Sequence, residues 1–404
     1  MVGRLGVAAA LVLALYGGAR AEEAVTPPDP HATHDAGRSR AARSGMGSSA
    51  AVDTSGAIWA AAVDGGRLVI RRSEGVGRGW SAPIALTDPD ERVEADGDSR
   101  PHVAAGTAGE IYVTWTHPLA KPYTGEIRFA RSIDHGRTFS APVTVHRDRQ
   151  QITHRFNAIT VSRLGQVFVA WVDRRDAVRA RAAGLPEYVG AAIYFAVSDD
   201  RGATFRGDYK VADHSCECCR IALLPQDGGS INALWRHVFA PNIRDHALAF
   251  LRPDGSATTP QRATFDDWQI DACPHHGPSL AADAAGTLHA VWFAQSSPVA
   301  GAFYGRLVDG RVEGQRRLGS GLAEHPDIVA YGNRVIVVWK EFDGTVTRLR
   351  GMTSGDKGLH WSDIDIATTP DASGQPQLLR IGERFEVFWN TRADGLSLTL
   401  IPFP

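Results

Sequence analysis

Cysteine and histidine are the residues best placed to do chemistry in this chain of 404 residues. There are only four cysteines, and three of them fall within the segment 216–219. The fourth lies more than fifty positions later and is followed closely by two histidines. Thiolate sulfur and imidazole nitrogen are preferred ligands of zinc and copper(I). We therefore treat six residues as a candidate copper or zinc site: Cys216, Cys218, Cys219, Cys273, His275 and His276.

A second interpretation of the same cysteines is a pair of structural disulfides. An even number of cysteines favours disulfides in an exported chain. One bond would join the segment 216–219 to Cys273, which leaves two close neighbours to pair or to stay free. Adjacent residues such as Cys218 and Cys219 have Cα atoms about 3.8 Å apart, which is short of the usual disulfide range of about 4.4–6.8 Å. Such a bond would be strained and reducible, so metal binding, disulfides and redox chemistry all stay open.

The elements that position these residues belong to a repeat. A glycine, a run of alternating apolar residues and a tryptophan recur at intervals of 47–64 residues. Turn glycines followed by such runs are typical of β-strands, and each interval has room for about four short strands. Four-stranded units repeated around an axis form a β-propeller. Its repeated tryptophans, which we expect in the core, are Trp115, Trp171, Trp235, Trp292, Trp339 and Trp389.

A second repeated motif has the form Ser-x-Asp-x-Gly-x-Thr-aromatic. Two copies fit fully, and a third has His in place of Thr. The Ser and Asp side chains can bond backbone N–H groups of a tight turn, and the Gly can adopt a positive φ. This motif resembles the Asp-box of the sialidase-like (BNR-repeat) propeller superfamily. The residues that carry the resemblance are Ser132, Asp134, Gly136, Thr138, Phe139, Ser198, Asp200, Gly202, Thr204, Phe205, Ser354, Asp356, Gly358 and Trp361.

The resemblance implies an all-β propeller over residues 47–404, with its site over the axis on the face opposite the Asp-boxes. Counting inner strands predicts seven blades, with the six blades of typical sialidases as the alternative. The segments that lead into the inner strands should meet on the site face, and all four cysteines fall in them. Further candidate ligands from these lead-in segments are His102, His154, His214, His325, Arg100, Arg155 and Arg220.

The resemblance also raises the hypothesis of a sialidase-type exo-glycosidase that acts on acidic sugars. Sialidases grip a carboxylate with three arginines and use an Asp, a Tyr and a Glu in catalysis. The early Arg-Ile-Pro signature is absent here, and Arg100-Pro101 is the nearest substitute. No residue stands in a recognisable catalytic context, so we assign none as catalytic.

Residues 1–21 have the features of a signal peptide: Arg4, an apolar run and an Ala-x-Ala cleavage site. The run of about eleven residues is shorter than the roughly twenty needed to span a bilayer. We therefore predict export to the periplasm or the medium, with no transmembrane segment in the mature chain. Residues 22–46 are rich in Pro, Ala, Arg and His and predict a flexible lead-in.

The formal net charge of −2 gives no concentrated basic surface, which argues against nucleic-acid binding. The expected partner is a small ligand, a metal ion or a glycan. Our leading hypothesis is a non-hydrolytic, exported propeller that binds copper, zinc or a small ligand through its Cys/His cluster. The alternatives are an exo-glycosidase and a scaffold whose disulfides lock neighbouring blades.

Overall fold

A computed structural model of the chain describes Met1 and residues 45–185, 188–296 and 299–403. Apart from Met1, the predicted signal peptide lies outside these residues, and so does most of the predicted flexible segment 22–46. Within the described residues, seven antiparallel sheets follow one another in chain order. Each is an up-and-down meander, so the fold is the seven-bladed β-propeller that the repeat predicted.

The strands of the first four blades follow the predicted order. Blade one comprises β1 (Ser49–Val52), β2 (Ile58–Asp64), β3 (Arg67–Ser73) and β4 (Ile84–Ala85). Blade two comprises β5 (His102–Ala105), β6 (Ile111–Pro118), β7 (Gly125–Ser132) and β8 (Val143–Thr144). Blade three comprises β9 (His154–Val161), β10 (Val167–Asp173), β11 (Ala191–Ser198) and β12 (Arg206–Ser215). Blade four comprises β13 (Ala222–Pro225), β14 (Ile231–Arg236), β15 (His246–Leu251) and β16 (Gln261–Arg262).

The remaining three blades complete the ring. Blade five comprises β17 (Ser279–Ala282), β18 (Leu288–Ser296), β19 (Val299–Val308) and β20 (Arg311–Arg317). Blade six comprises β21 (Ala323–Tyr331), β22 (Arg334–Phe342), β23 (Thr347–Ser354) and β24 (Ser362–Thr369). Blade seven has three strands among the described residues: β25 (Gln377–Ile381), β26 (Arg384–Thr391) and β27 (Gly395–Leu400).

The second strand of each blade is buried on both faces because it lies between the two neighbouring blades. All seven residues of β10 and all six of β14 are buried, for example. The repeated tryptophans lie on these strands and are buried, as the repeat predicted. Their indole N–H groups find acceptors nearby, such as Asp173 for Trp171 and Glu341 for Trp339, both at 2.8 Å. A buried indole therefore leaves no unpaired donor.

The first and last blades close the ring through side chains. Gln377 of β25 accepts a hydrogen bond from the backbone N–H of Ala50 and donates one to its carbonyl oxygen, at 2.9 and 2.8 Å. Farther out, the indole of Trp80 donates to the carbonyl of Leu396 at 2.8 Å. These hydrogen bonds hold blades one and seven together.

The Asp-box turns make the hydrogen bonds that their residue types predicted. In the first, the Thr138 hydroxyl donates to Asp134, and the backbone N–H of Gly136 donates to Ser132, at 2.6 and 2.9 Å. Asp200 accepts equivalent bonds from Thr204 and Ser198 in the second. In the third, the His that replaces Thr also bonds the box Asp, through its Nδ1.

One short helix lies in the connection between β10 and β11. The helix α1 (Arg175–Ala182) follows β10, and Arg175 at its first position bonds Asp173 and Asp208 at 2.7 Å each. A single eight-residue helix with four arginine or aspartate side chains has too few apolar positions to show a helical period. No helix among the described residues is both long enough and apolar enough to cross a membrane.

Candidate functional site

The segment 216–219 connects β12 to β13 and is anchored at its start. The backbone N–H of Cys216 donates to the carbonyl of Arg236, at the end of β14. The indole of Trp235 donates to the hydroxyl of Ser215 at 3.0 Å. A connection held in this way at the start of the turn fixes where the three thiols point.

The three cysteines of this segment form a compact sulfur triangle. The Sγ atoms of Cys216 and Cys218 are 3.6 Å apart, those of Cys218 and Cys219 are 4.0 Å apart, and those of Cys216 and Cys219 are 3.8 Å apart. All three side chains are buried. None of the four cysteines is disulfide-bonded in this structure, since a disulfide needs sulfurs about 2.05 Å apart.

Cys273 reaches the same place from the lead-in segment of blade five. Its thiol hydrogen-bonds that of Cys218, and it packs against the core cluster that contains the sulfur triangle. The structure thus brings Cys273 beside three thiols that lie more than fifty positions earlier in the sequence. Cys273 is only partly buried, unlike the other three.

The thiols differ in their acidity. Hydrogen bonds from Cys218 and Cys219 hold the pKa of Cys216 well below its usual range, and Arg244 adds to the effect. Burial raises the pKa values of Cys218 and Cys219. These shifts favour ionisation of Cys216 before Cys218 and Cys219.

Arg244 is a site residue that the motif search missed. Its Nη1 atom lies 3.7 Å from the sulfur of Cys216, and its pKa is raised by Cys216, Cys218 and Cys273 even though burial opposes this. It lies in the connection between β14 and β15. In an up-and-down blade, the connection between the second and third strands lies on the same face as the lead-in segments, so this position was a usable signal.

A second cluster lies one blade farther round. One ligand atom from each of His276, Glu324 and His325 falls within 4.8 Å of the other two. The rings of His276 and His325 have centroids 4.4 Å apart, and the ammonium group of Lys340 is 3.5 Å from Glu324. His276, predicted as a ligand beside the cysteines, thus belongs to this separate His/Glu cluster.

The axis itself is filled by a buried ion pair. Asp98, from the lead-in segment of blade two, accepts hydrogen bonds from Arg220 at 3.0 Å, from the N–H of Gly277 at 2.7 Å and from Gln375 at 2.8 Å. Burial alone would raise the pKa of Asp98, but the charge of Arg220 lowers it. The carboxylate is therefore ionised and fully partnered.

Arg220 extends this network to the remaining blades. Its Nε donates to the carbonyl of Pro278 at 3.1 Å, and its Nη2 donates to the carbonyl of Pro326 at 2.8 Å. One side chain thus ties the lead-in segments of blades two, four, five, six and seven together. Arg220, one of the further candidate ligands, thus has its guanidinium donors directed to protein acceptors at the axis.

The other predicted rim residues have separate environments. Arg155 pairs with Glu94 at 2.8 Å. His154 donates from Nδ1 to the carbonyl of Gly125 at 3.1 Å and stacks on His146. The Nδ1–H of His214 donates to the carbonyl of Val189. None of these three residues lies in the sulfur triangle or the His/Glu cluster.

Two further candidate ligands lie in the lead-in to blade two and the start of β5, where Arg100 is buried and His102 is partly buried. Arg100 has two guanidinium nitrogens, Nε and Nη1, with no hydrogen-bond partner, and His102 has an unpartnered Nε2. Burial lowers the pKa of Arg100 to about 10 and that of His102 to about 3, with Arg220 adding to both effects. His102 is therefore a neutral ring at neutral pH.

Three lead-in histidines share an uncommon backbone conformation. His214, His275 and His325 have φ values of 54°, 52° and 50°. Residues other than glycine seldom adopt this left-handed region, and such residues cluster at binding sites, where surrounding structure holds them. His275 also lies near Phe156, with ring centroids 6.2 Å apart.

Comparison with known proteins adds information on the fold. No known family profile matches the sequence, and no curated protein matches it. Among solved structures, a PL25 ulvan lyase is similar with a TM-score of 0.57 and 11% identity, over 89% of this chain and 94% of the lyase. The polysaccharide lyase Uly1 gives a TM-score of 0.52 and 9% identity, over 86% of this chain and 88% of the other.

A third similar structure is an α-L-arabinofuranosidase from Fusarium graminearum. Its TM-score is 0.50 at 11% identity, over 74% of this chain and 91% of the enzyme. The likeness is one of fold. Identities this low carry no residue roles across, and membership of the sialidase-like superfamily stays a prediction from the Asp-box motif.

Proposed function

We propose that this protein binds a soft metal ion, zinc or copper(I), through Cys216, Cys218 and Cys219, with Cys273 as a further ligand. The sulfur triangle carries the proposal. Four thiolates about 2.3 Å from a tetrahedral zinc ion lie about 3.8 Å from one another. The three sulfur–sulfur distances of 3.6, 3.8 and 4.0 Å match that edge length.

Charge supports the same proposal. Four thiolates around Zn²⁺ leave two negative charges, and the guanidinium of Arg244 beside Cys216 offsets one of them. Arg236, the last residue of β14, also lowers the pKa of Cys216. Buried thiolates need such compensation, because an isolated charge is costly to bury. Soft sulfur ligands select copper(I) and zinc over magnesium or calcium.

Cys273 is the proposed fourth ligand because its thiol interacts with that of Cys218, and it would have to approach the three sulfur atoms that already lie within 4.8 Å of one another. His275 remains a prediction as a ligand, and His276 lies with Glu324 and His325. The proposed first choice is thus a four-sulfur site, which is the closed arrangement of structural and storage metal centres. An open position for substrate is not part of this proposal.

The decisive experiment combines metal analysis with a thiol count. Protein exported from a cell and purified without chelators is analysed for copper and zinc, and its thiols are counted after metal removal under denaturing conditions. We expect one bound ion per chain and four free thiols. Four oxidised thiols without copper or zinc would overturn the proposal and favour the scaffold with blade-locking disulfides.

We also propose a carbohydrate ligand for the axial face, as a second function. The support is that three propellers with TM-scores of 0.50 or more are named as polysaccharide lyases or an arabinofuranosidase. Incubation with ulvan and with arabinan, followed by a reducing-end assay and by equilibrium binding, tests it. Binding or cleavage of either polymer supports the proposal, and failure to bind or cleave both removes it.

Export is part of the proposed setting for both functions. The signal-peptide features of residues 1–21 carry this proposal, because they precede a chain with no apolar run long enough to span a bilayer. N-terminal sequencing of the protein recovered outside the cytoplasm tests it. We expect the mature chain to begin at Glu22, and recovery of full-length protein in the cytoplasm alone would contradict export.

A further inference from the structure

The His/Glu cluster of His276, Glu324 and His325 looks at first like a second metal centre. Two imidazoles and one carboxylate form a common ligand set for zinc and iron, and here their ligand atoms lie within 4.8 Å of one another. The hydrogen bonds behind His325 decide whether its ring nitrogen can accept a metal. Those bonds start at the ion pair on the axis.

The amide of Gln375 has only one orientation that fits its neighbours. Arg220 donates from Nη1 to the Oε1 atom of Gln375 at 2.9 Å, and a guanidinium group has donors alone. The NH₂ group of Gln375 must therefore face the other way. It donates to Asp98 at 2.8 Å and lies 3.0 Å from the Nδ1 atom of His325.

The Gln375 amide thus fixes the tautomer of His325. Because an amide N–H points at Nδ1, that nitrogen must be the acceptor, and a neutral ring then carries its proton on Nε2. Metal-bound histidines show the opposite arrangement, with the second nitrogen donating to a carboxylate or a carbonyl. The Nε2 atom of His325 is therefore an N–H donor and has no lone pair for a metal.

The surroundings keep this ring neutral. Burial, His276 and the cations Lys340, Arg220 and Arg100 all hold the pKa of His325 well below its usual range. Burial likewise lowers the pKa of His276 to about 3. At neutral pH, the cluster therefore presents one fixed N–H donor beside one ammonium group.

Among the described residues, the nearest carboxylate to these two donors is that of Glu324, and it is distant from both. Glu324 lies 3.8 Å from Nε2 of His325 and 3.5 Å from Nζ of Lys340. The first distance is longer than a hydrogen bond and the second is at its outer limit. The side chain of Lys340 is 9% exposed, whereas that of Glu324 is 29% exposed. The carboxylate of Glu324 thus lies on the solvent side of the His325 and Lys340 donors.

We propose that His325 and Lys340 form an oxyanion-binding site at the axial mouth, with Glu324 as an internal carboxylate that competes with the ligand. The ligand class is a carboxylate or another small oxyanion, which would accept short hydrogen bonds from both donors. Gln375 is a positioning residue, since it sets the tautomer without facing the ligand. This site is independent of the thiol metal site proposed above.

The tautomer is tested first, in the unaltered protein. Long-range ¹H–¹⁵N correlation spectra distinguish a ring protonated at Nε2 from one protonated at Nδ1, and His325→Asn identifies the signals. If that variant does not fold, Gln375→Leu, which shifts the signals of its neighbouring ring, serves the same purpose. We expect the Nε2–H form at neutral pH. An Nδ1–H form would overturn the proposal.

The ligand is tested by titration of the same signals with acetate and, separately, with sulfate. We expect Lys340→Gln to weaken binding about tenfold, as loss of a charge-assisted hydrogen bond implies. Glu324→Gln should strengthen it several-fold by removing a like charge. Lys357→Gln, which removes the same charge from an Asp-box turn, is the matched control and should leave the affinity unchanged. Response to acetate alone assigns carboxylates, and response to sulfate as well assigns oxyanions in general.

A zinc titration separates this proposal from the thiol site. Zinc binding to the cysteines is followed separately in cobalt-substituted protein. There, zinc displaces cobalt and the thiolate-to-cobalt absorption is lost, a signal that His325 does not affect. We expect the His325 signals to stay unchanged when zinc is added beyond the thiol-bound equivalent. A shift typical of zinc on Nε2, or no response to either anion, would overturn the oxyanion site whatever the thiols do.

Discussion

The Arg220 guanidinium lies 3.0 Å from the Asp98 carboxylate, although the two residues are 122 positions apart in the chain. Both side chains are buried at the propeller axis. Removal of one partner of a buried ion pair leaves an uncompensated charge and costs about 3–5 kcal/mol. Together with the other hydrogen bonds of Arg220, the pair thus connects five blades at the axis.

We therefore predict that Arg220→Met lowers the free energy of unfolding by about 3–5 kcal/mol, because Asp98 remains charged and buried. Denaturant titration measures the change. The exposed pair Arg163–Asp227 offers a matched control, and Arg163→Met should cost less than about 1 kcal/mol. Equal effects of the two substitutions would show that the axial pair has no special role.

Zinc binding to the metal-free protein should release at least two protons near neutral pH. The raised pKa values of Cys218 and Cys219 mean that both thiols are protonated before the metal arrives, and both must ionise to become ligands. Calorimetry in buffers with different ionisation enthalpies counts the protons. Cys218→Ser should release fewer and bind zinc much more weakly. Binding without proton release would contradict ligation by these thiols.

The Asp-box carboxylates should contribute to stability in a pH-dependent way. Burial alone would raise the pKa of Asp200, but hydrogen bonds from Thr204 and Ser198 lower it to about 2. Because the folded-state pKa lies below the ordinary value of 3.8, this contribution is full above pH about 4 and is lost as the pH falls toward 2. Asp200→Asn should therefore be less stable than the parent at neutral pH.

The gap between parent and Asp200→Asn should shrink as the pH falls. Urea unfolding at pH values of about 7, 4 and 2.5 measures it. Asp88→Asn, at an exposed aspartate, is the control and should match the parent throughout. A stability gap for Asp200→Asn that does not change with pH would contradict the proposed origin of the effect.

Substitution of the Asp-box glycine Gly136 should destabilise the protein both through its positive φ and through a steric clash. Gly136 has φ +76°, and a Cβ there would lie 2.0 Å from the ring of Trp59 in the neighbouring blade. Gly65 has φ +57° with nothing within 4 Å of the same added atom. Gly65→Ala should cost about 1 kcal/mol from backbone strain.

Gly136→Ala should cost about 1–3 kcal/mol more than Gly65→Ala, because the overpacked ring must move. Thermal or denaturant unfolding of the two variants makes the comparison. Similar losses for both would mean that strain at positive φ is the whole cost and that blade packing tolerates the added methyl group.

Much of the architecture could be predicted from the sequence because it repeats. The tryptophan recurs in six blades and the box motif in three, which is enough repetition to predict seven four-stranded units. The helix α1 (Arg175–Ala182) escaped prediction, because it occurs once and is held by ion pairs of Arg175 instead of by an apolar face.

The sequence predicted where the candidate sites lie better than it predicted which residues belong to each site. The lead-in segments do bring Cys273 to the sulfur triangle, as the repeat register implied. The grouping of His276 with Glu324 follows from side-chain directions that periodicity does not report. Arg220 has the charge of a rim ligand, yet buried acceptors from four other blades surround it.

X-ray absorption spectroscopy of the zinc-loaded protein tests the central proposal most directly, since it reports the ligand atoms and their distances from the metal. We predict a shell of three or four sulfur atoms at about 2.3 Å. Cys273→Ser should lose one sulfur from that shell and retain the rest. A shell made up of nitrogen and oxygen at about 2.0–2.1 Å would show that the thiols do not hold the metal.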